Sequence, residues 1–210
     1  MSEKLVDLET WPRAAQFAWF RTYERPHYAT TSRLDVSHLM EAAKPKGVSV
    51  YRACLYAIGN GLHAVPELLM RFRNDVVVAH DCVALSMTVP TPKGSFNYAY
   101  VPYVADFASF DSMAADLIKE AATREGLDAN AGDRDDVAYL SCLPWLDYTS
   151  INNAMPNKDD CIPRVSWGKI VQEPDGRWCM AMTLEAHHAL VDGAQVGAYF
   201  AATQEALASI

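Results

Sequence analysis

The C-terminal third of the chain constrains its fold most. Pro163 to Gln172 and Arg177 to His188 read as two strands joined by the turn Pro174-Asp175-Gly176. Along the second strand Met180, Met182, Leu184 and Ala186 recur with period two and share one face. A helix follows, about Ala194 to Ser209, with Val196, Phe200 and Leu207 on one side. Between strand and helix stands Glu185-Ala186-His187-His188-Ala189-Leu190-Val191-Asp192-Gly193. Histidine takes and returns a proton near neutral pH, and an Asp-Gly supplies a carboxylate with a backbone able to turn sharply.

The same reading carries upstream. Thr10 before Trp11-Pro12-Arg13 predicts a helix through about Tyr23, and Tyr28 to Asp35 a strand. A short helix is expected over Ser37 to Ala43, and a longer one over Ser49 to Ala64. Leu68 to Phe72 and Val76 to His80 form a hairpin about Asn74-Asp75, with further strands at Val83 to Val89 and Ser95 to Tyr103. Phe110 to Arg124 is helical, Glu125 to Asp136 a polar loop, and Val137 to Leu143 a strand before an Asn-rich irregular segment to Asp160. Strands and helices mixed without regular βαβ alternation predict an α/β fold, a two-layer sandwich with a mixed β-sheet, in one domain over residues 1–210.

Composition narrows the function. A net charge of −8 argues against a nucleic-acid partner. No segment has the form of a signal peptide or the length of a membrane span, so a cytoplasmic protein without a membrane partner is expected. Five scattered cysteines without metal-ligand spacing predict reduced thiols and no metal site. Walker, GxGxxG and HExxH motifs are missing.

Strand parity groups His188 with Met180, Met182, Leu184 and Ala186, and His187 with Thr183 and Glu185. His188 is therefore the candidate general base, at the end of an apolar layer. A hydrogen-bonded core histidine is the plainer alternative.

His187-His188-Ala189-Leu190-Val191-Asp192-Gly193 resembles the HHxxxDG signature shared by chloramphenicol O-acetyltransferases, dihydrolipoyl acyltransferases and peptide-synthetase condensation domains. Ser141-Cys142-Leu143-Pro144-Trp145 resembles the S-x-L-P-W segment of the chloramphenicol enzymes. Trp11-Pro12-Arg13, Ser95-Phe96-Asn97 with Pro102-Tyr103, and Ser166-Trp167-Gly168-Lys169 are similar to three further segments of that family, in order and spacing.

The resemblance implies a chloramphenicol acetyltransferase-like fold and a homotrimer with active sites between subunits. It implies acetyl transfer from acetyl-CoA, a co-substrate and not a permanently bound cofactor, to a hydroxyl of chloramphenicol or a similar small molecule. His188 would be the base and Ser141 the oxyanion donor, while Asp192 would pair with Arg13 as a brace, a place also suited to a helix N-cap. Phe20, Tyr28, Phe96, Tyr98 and Ile151 would line the acceptor pocket, and Ser166 and Lys169 would lie toward CoA. Tyr98 and Glu24 stand where the family carries smaller or aliphatic groups, Ile151 where it has an aromatic, and Ile170 where it often has tyrosine. A different hydroxylated acceptor, a dihydrolipoyl acyltransferase core, and a CoA- or drug-binding protein without turnover are the rival readings.

Overall fold

The structure, a computed structural model, describes residues 2–130 and 134–210. In chain order its elements are β1 (Glu3–Leu5), α1 (Ala14–Phe20), β2 (His27–Asp35), α2 (Val50–His63), β3 (Met70–Arg73), β4 (Val76–His80), β5 (Ala84–Pro90) and β6 (Phe96–Pro102). Then come α3 (Phe107–Thr123), β7 (Val137–Cys142), β8 (Arg164–Trp167), β9 (Val171–Gln172), β10 (Trp178–His187) and α4 (Gly193–Ser209). The main sheet runs β2-β10-β8-β7-β5-β6, with β9 on the flank of β10. β7 lies parallel to β5 and β8, and the other neighbours are antiparallel. This is the mixed α/β architecture expected from the sequence. β1, β4 and β3 form a separate small sheet.

The alternation along β10 sorts its side chains onto two faces. Met180, Met182 and Leu184 turn toward the helices, where Cys54 Sγ lies 4.0 Å from Met180 Sδ and the Tyr199 hydroxyl 3.3 Å from Met182 Sδ. Burying each such side chain is worth about 1.5–3 kcal/mol. α2 begins at Ser49, whose side chain caps the Arg52 N–H, and packs directly on α4. Gly61 permits that contact, since a Cβ there would stand 2.0 Å from Thr203 Oγ1.

The opposite face is polar and partly covered. Thr31, Thr183, Ser166 and Ser141 stand opposite one another across four strands. A second row two residues away runs through Glu185, Arg164, Tyr139 and Ser86. The irregular segment 143–163 lies over these rows. Tyr148 donates to the Ser166 carbonyl at 2.7 Å, and the carbonyls of Lys158 and Asp160 meet His187 and His27. Covered on both sides, β10 is buried from Cys179 to His187.

Several boundaries differ from expectation for local reasons. α1 stops at Phe20, because Thr22 and Tyr23 close tighter bonds onto the Trp19 and Phe20 carbonyls. The turn expected over Ser37 to Ala43 is a π-helical turn at Leu39–Ala43, then a 3-10 turn ending at Gly47 with φ 90°. α3 starts at Phe107, because Asp106 caps the Ser109 N–H at 2.8 Å. The strand expected over Pro163 to Gln172 is broken. Trp167 faces Met182 while Val171 faces Cys179, so four residue steps on one arm match three on the other. That one-residue bulge holds Gly168, where a Cβ would meet the Leu146 carbonyl at 2.6 Å. Of the loop expected over 125–136, residues 131–133 lie outside the described residues.

Candidate active site

β10 ends one residue before His188. The chain then turns, with Leu190 and Val191 N–H both donating to the His187 carbonyl and His188 N–H to the Pro26 carbonyl. His187 continues the buried polar face. Its Nδ1 accepts the Ala189 N–H at 3.1 Å, and its Nε2 donates to the Lys158 carbonyl at 3.0 Å. Burial, reinforced by the charge of nearby His27, pushes its pKa down to about 4. With both nitrogens committed, His187 is a structural group.

His188 is half-buried and oriented differently. Its ring stacks on Phe20, 3.8 Å between centroids at 9°, with Tyr28 at 4.6 Å on the helix-facing side of β2. Nδ1 lies 3.1 Å from the Val191 carbonyl. A carbonyl only accepts, so in the neutral ring Nδ1 carries the proton and Nε2 the lone pair. Nε2 meets no protein partner among the described residues. Tyr28 leaves its buried hydroxyl unpartnered there, and burial pushes its pKa up to about 12. Held in one tautomer between two rings, with Nε2 unengaged, this imidazole has the geometry that a general base requires.

The loop carrying His188 is braced from behind. Arg13 donates through Nη1 to Asp192 Oδ2 at 2.5 Å, through Nε to the Ala189 carbonyl at 3.0 Å and through Nη2 to the His188 carbonyl at 2.8 Å. The Arg13 hydrogen bond holds the Asp192 carboxyl below the usual carboxylate range. Asp192 also caps α4 through Oδ1, in a capping box with Gln195. Pairing and capping coexist at this residue.

Ser141 lies elsewhere. It lines a cavity of about 300 Å³ with Ser86, Tyr98, Asn130, Tyr139, Asn153 and Arg164. In register it stands level with Thr183, two strands from β10 and five residues short of His188. Strand geometry places it roughly 17 Å along and about 10 Å across from the histidine. One chain therefore brings together Arg13, Phe20, Tyr28, His188 and Asp192 at one place, and Ser141 with Tyr98 at another.

The remaining expected residues are scattered between and beyond. Phe96 is half exposed beside Leu127 on a cavity of about 780 Å³, with its ring 5.6 Å from that of Tyr98. Ile151 is half-buried in the covering segment, and Glu24 is exposed. Ser166 is buried between Ser141 and Thr183, and its Oγ meets no partner among the described residues. Lys169 is exposed on the bulge, and Ile170 packs against the core. Sequence reasoning missed Ser86, Tyr139, Asn153 and Arg164; the polar alternation Thr183, Glu185, His187 was the signal for this second face. Among the described residues one cluster, Glu3, His80 and Asp135, has metal-ligand spacing, and Arg73 already bridges its carboxylates. Among the described residues no helix is long and apolar enough to cross a membrane.

Comparison with known proteins places this geometry in a family. The chloramphenicol acetyltransferase family model matches residues 1–204. A chloramphenicol acetyltransferase of Bacillus pumilus is 26% identical over 198 residues, covering 93% of this chain and 89% of the relative. Chloramphenicol acetyltransferase 3 of Escherichia coli is 24% identical, covering 98% and 97%. A solved chloramphenicol acetyltransferase structure superposes with a TM-score of 0.90 at 25% identity, over 98% of this chain and all of that one. The cubic core of a pyruvate dehydrogenase complex shares the fold at a TM-score of 0.67 and 19% identity. With this match along almost its whole length, the chain belongs to the chloramphenicol acetyltransferase family of acyltransferases.

Proposed function

We propose that the protein transfers the acetyl group of acetyl-CoA to a hydroxyl of chloramphenicol, directly and within a ternary complex. The observation that carries this reading is the His188 tautomer, with Nδ1–H spent on Val191 and Nε2 free to act. Nε2 takes the hydroxyl proton as the acceptor oxygen attacks the thioester carbonyl. The tetrahedral oxyanion accepts a hydrogen bond from Ser141 Oγ–H. The C–S bond then breaks, and the imidazolium returns its proton to the CoA sulfur. No acetyl-enzyme forms, so holding both substrates in line supplies much of the acceleration.

The protein acts as a homotrimer, with each site built between two protomers. Support comes from the separation of the two half-sites within one chain, which leaves each incomplete alone. Phe20 and Tyr28 flank the base; Tyr98, Phe96 and Ile151 line the acceptor side; Ser166 and Lys169 lie toward CoA. Residues 1–210 work as one catalytic domain. Its five unpaired cysteines accord with a reducing cytoplasm.

Thiol release from acetyl-CoA in the presence of chloramphenicol tests the reading. His188→Ala is expected to abolish transfer while CoA binding persists. Ser141→Ala is expected to lose roughly 10²–10³ in kcat. Full activity in His188→Ala would overturn the mechanism, and turnover confined to other alcohols would overturn the acceptor.

A further inference from the structure

The cavity beside Ser141 mixes hydrogen-bonding groups with the apolar Ala129, Leu140 and Ala154, where a pocket for an aromatic drug is expected to be mainly apolar. Ser86 is 2% exposed, and its Oγ meets no partner among the described residues. The Tyr139 hydroxyl accepts from Asn130 Nδ2 at 2.8 Å, leaving its own proton to give. Asn153 contributes an acceptor. Its backbone N–H and its Nδ2 both donate to Glu185 Oε2, at 2.7 and 2.9 Å. Glu185 is 4% exposed, rooted in β10 behind the cavity. A carboxylate oxygen that takes both bonds dictates how the amide lies, with Nδ2 toward β10 and Oδ1 turned away. No protein donor among the described residues meets that Oδ1.

We propose that Asn153 is a specificity-determining residue whose Oδ1, aimed by Glu185, accepts a hydrogen bond from a second O–H or N–H of the acceptor, apart from the hydroxyl that is acetylated. The proposal rests on the Ser141 cavity being the acceptor pocket. The acceptor class is a compact alcohol carrying a second donor, as opposed to a hydroxyl on an otherwise apolar frame. A lone-donor alcohol leaves the Asn153 oxygen desolvated and unpaired, which is how a polar pocket rejects the wrong substrate. Glu185 acts only through Asn153 and is a positioning residue.

Steady-state kinetics with chloramphenicol, a phenylpropanediol and a phenylpropanol test this, because the three share an arylpropanol frame and differ in donor count. The wild-type protein is expected to favour the two multi-donor alcohols over phenylpropanol by roughly 10- to 100-fold in kcat/KM. Asn153→Leu is expected to erase that preference mainly through KM, leaving the KM for acetyl-CoA unchanged; Glu185→Gln is expected to erode it in part. Equal use of all three alcohols by the wild-type protein would overturn the proposal. If Tyr98→Ala shifts acceptor KM while Asn153→Leu leaves the preference intact, the proposal falls and the pocket assignment stands. If neither variant moves acceptor KM, or no alcohol is turned over, the pocket assignment falls and takes the proposal with it.

Discussion

Two adjacent histidines, identical in chemistry, are given different work by their hydrogen bonds. His187 accepts at Nδ1 and donates at Nε2, whereas His188 donates at Nδ1 and keeps Nε2 free. The depressed pKa of His187 has a measurable consequence. From about pH 6.5 down to about pH 4 the unfolded chain binds a proton that the folded one refuses. The unfolded state therefore gains protons across that window, and stability falls as pH falls, by about 3 kcal/mol at its lower end. Above pH 6.5 the group is neutral in both states and adds no slope. Urea midpoints measured from pH 7 to 4.5 are expected to fall less steeply in His187→Gln than in the wild-type protein. Parallel slopes would mean that His187 titrates normally in the fold. Parity along the strand singled out His188 from sequence, whereas in the structure the strand ends at His187 and a turn presents the His188 ring.

At the scale of elements, Asp192 ties the first turn of α4 to Arg13 near the start of α1. Substitution separates its two duties. Asn caps a helix about as well as Asp, so Asp192→Asn removes only the ion pair, an expected loss of about 1 kcal/mol for a half-exposed carboxylate. Asp192→Ala removes the cap as well and is expected to cost roughly 1 kcal/mol more. Thermal or urea unfolding of the two variants checks the difference, and equal stabilities would show that the cap contributes nothing. Helices and strands of regular period were legible in the sequence because periodicity reports burial on one face. The bulge at Gly168 to Ile170, the π-helical turn at Leu39–Ala43 and strand β1 were not. The bulge and β1 depend on partners distant in sequence, the one on β10 and the other on β4.

At the scale of the whole molecule, His188, the proposed base, and Ser141, the proposed oxyanion donor, stand apart in one chain and are proposed to meet across a subunit boundary. This predicts complementation. His188→Ala is expected to be inactive and Ser141→Ala to keep at most about 1% of kcat, yet refolded together at equal amounts they are expected to regain about a quarter of wild-type activity, since one site in four draws both intact residues. A mixture no more active than its components would place both groups in one subunit. The alternation of β10, the His187-His188 pair with Asp192-Gly193, and the serine of Ser141-Cys142-Leu143-Pro144-Trp145 were determined by sequence alone, because local periodicity and residue chemistry suffice to read them. Tertiary structure decided the rest. Only folding across four strands sets Glu185 behind Asn153, lines Ser86 and Tyr139 up beside Ser141, and holds that cavity away from His188. Those relations join residues far apart in the chain, and hydrogen bonds of that range leave no period in the sequence to be read.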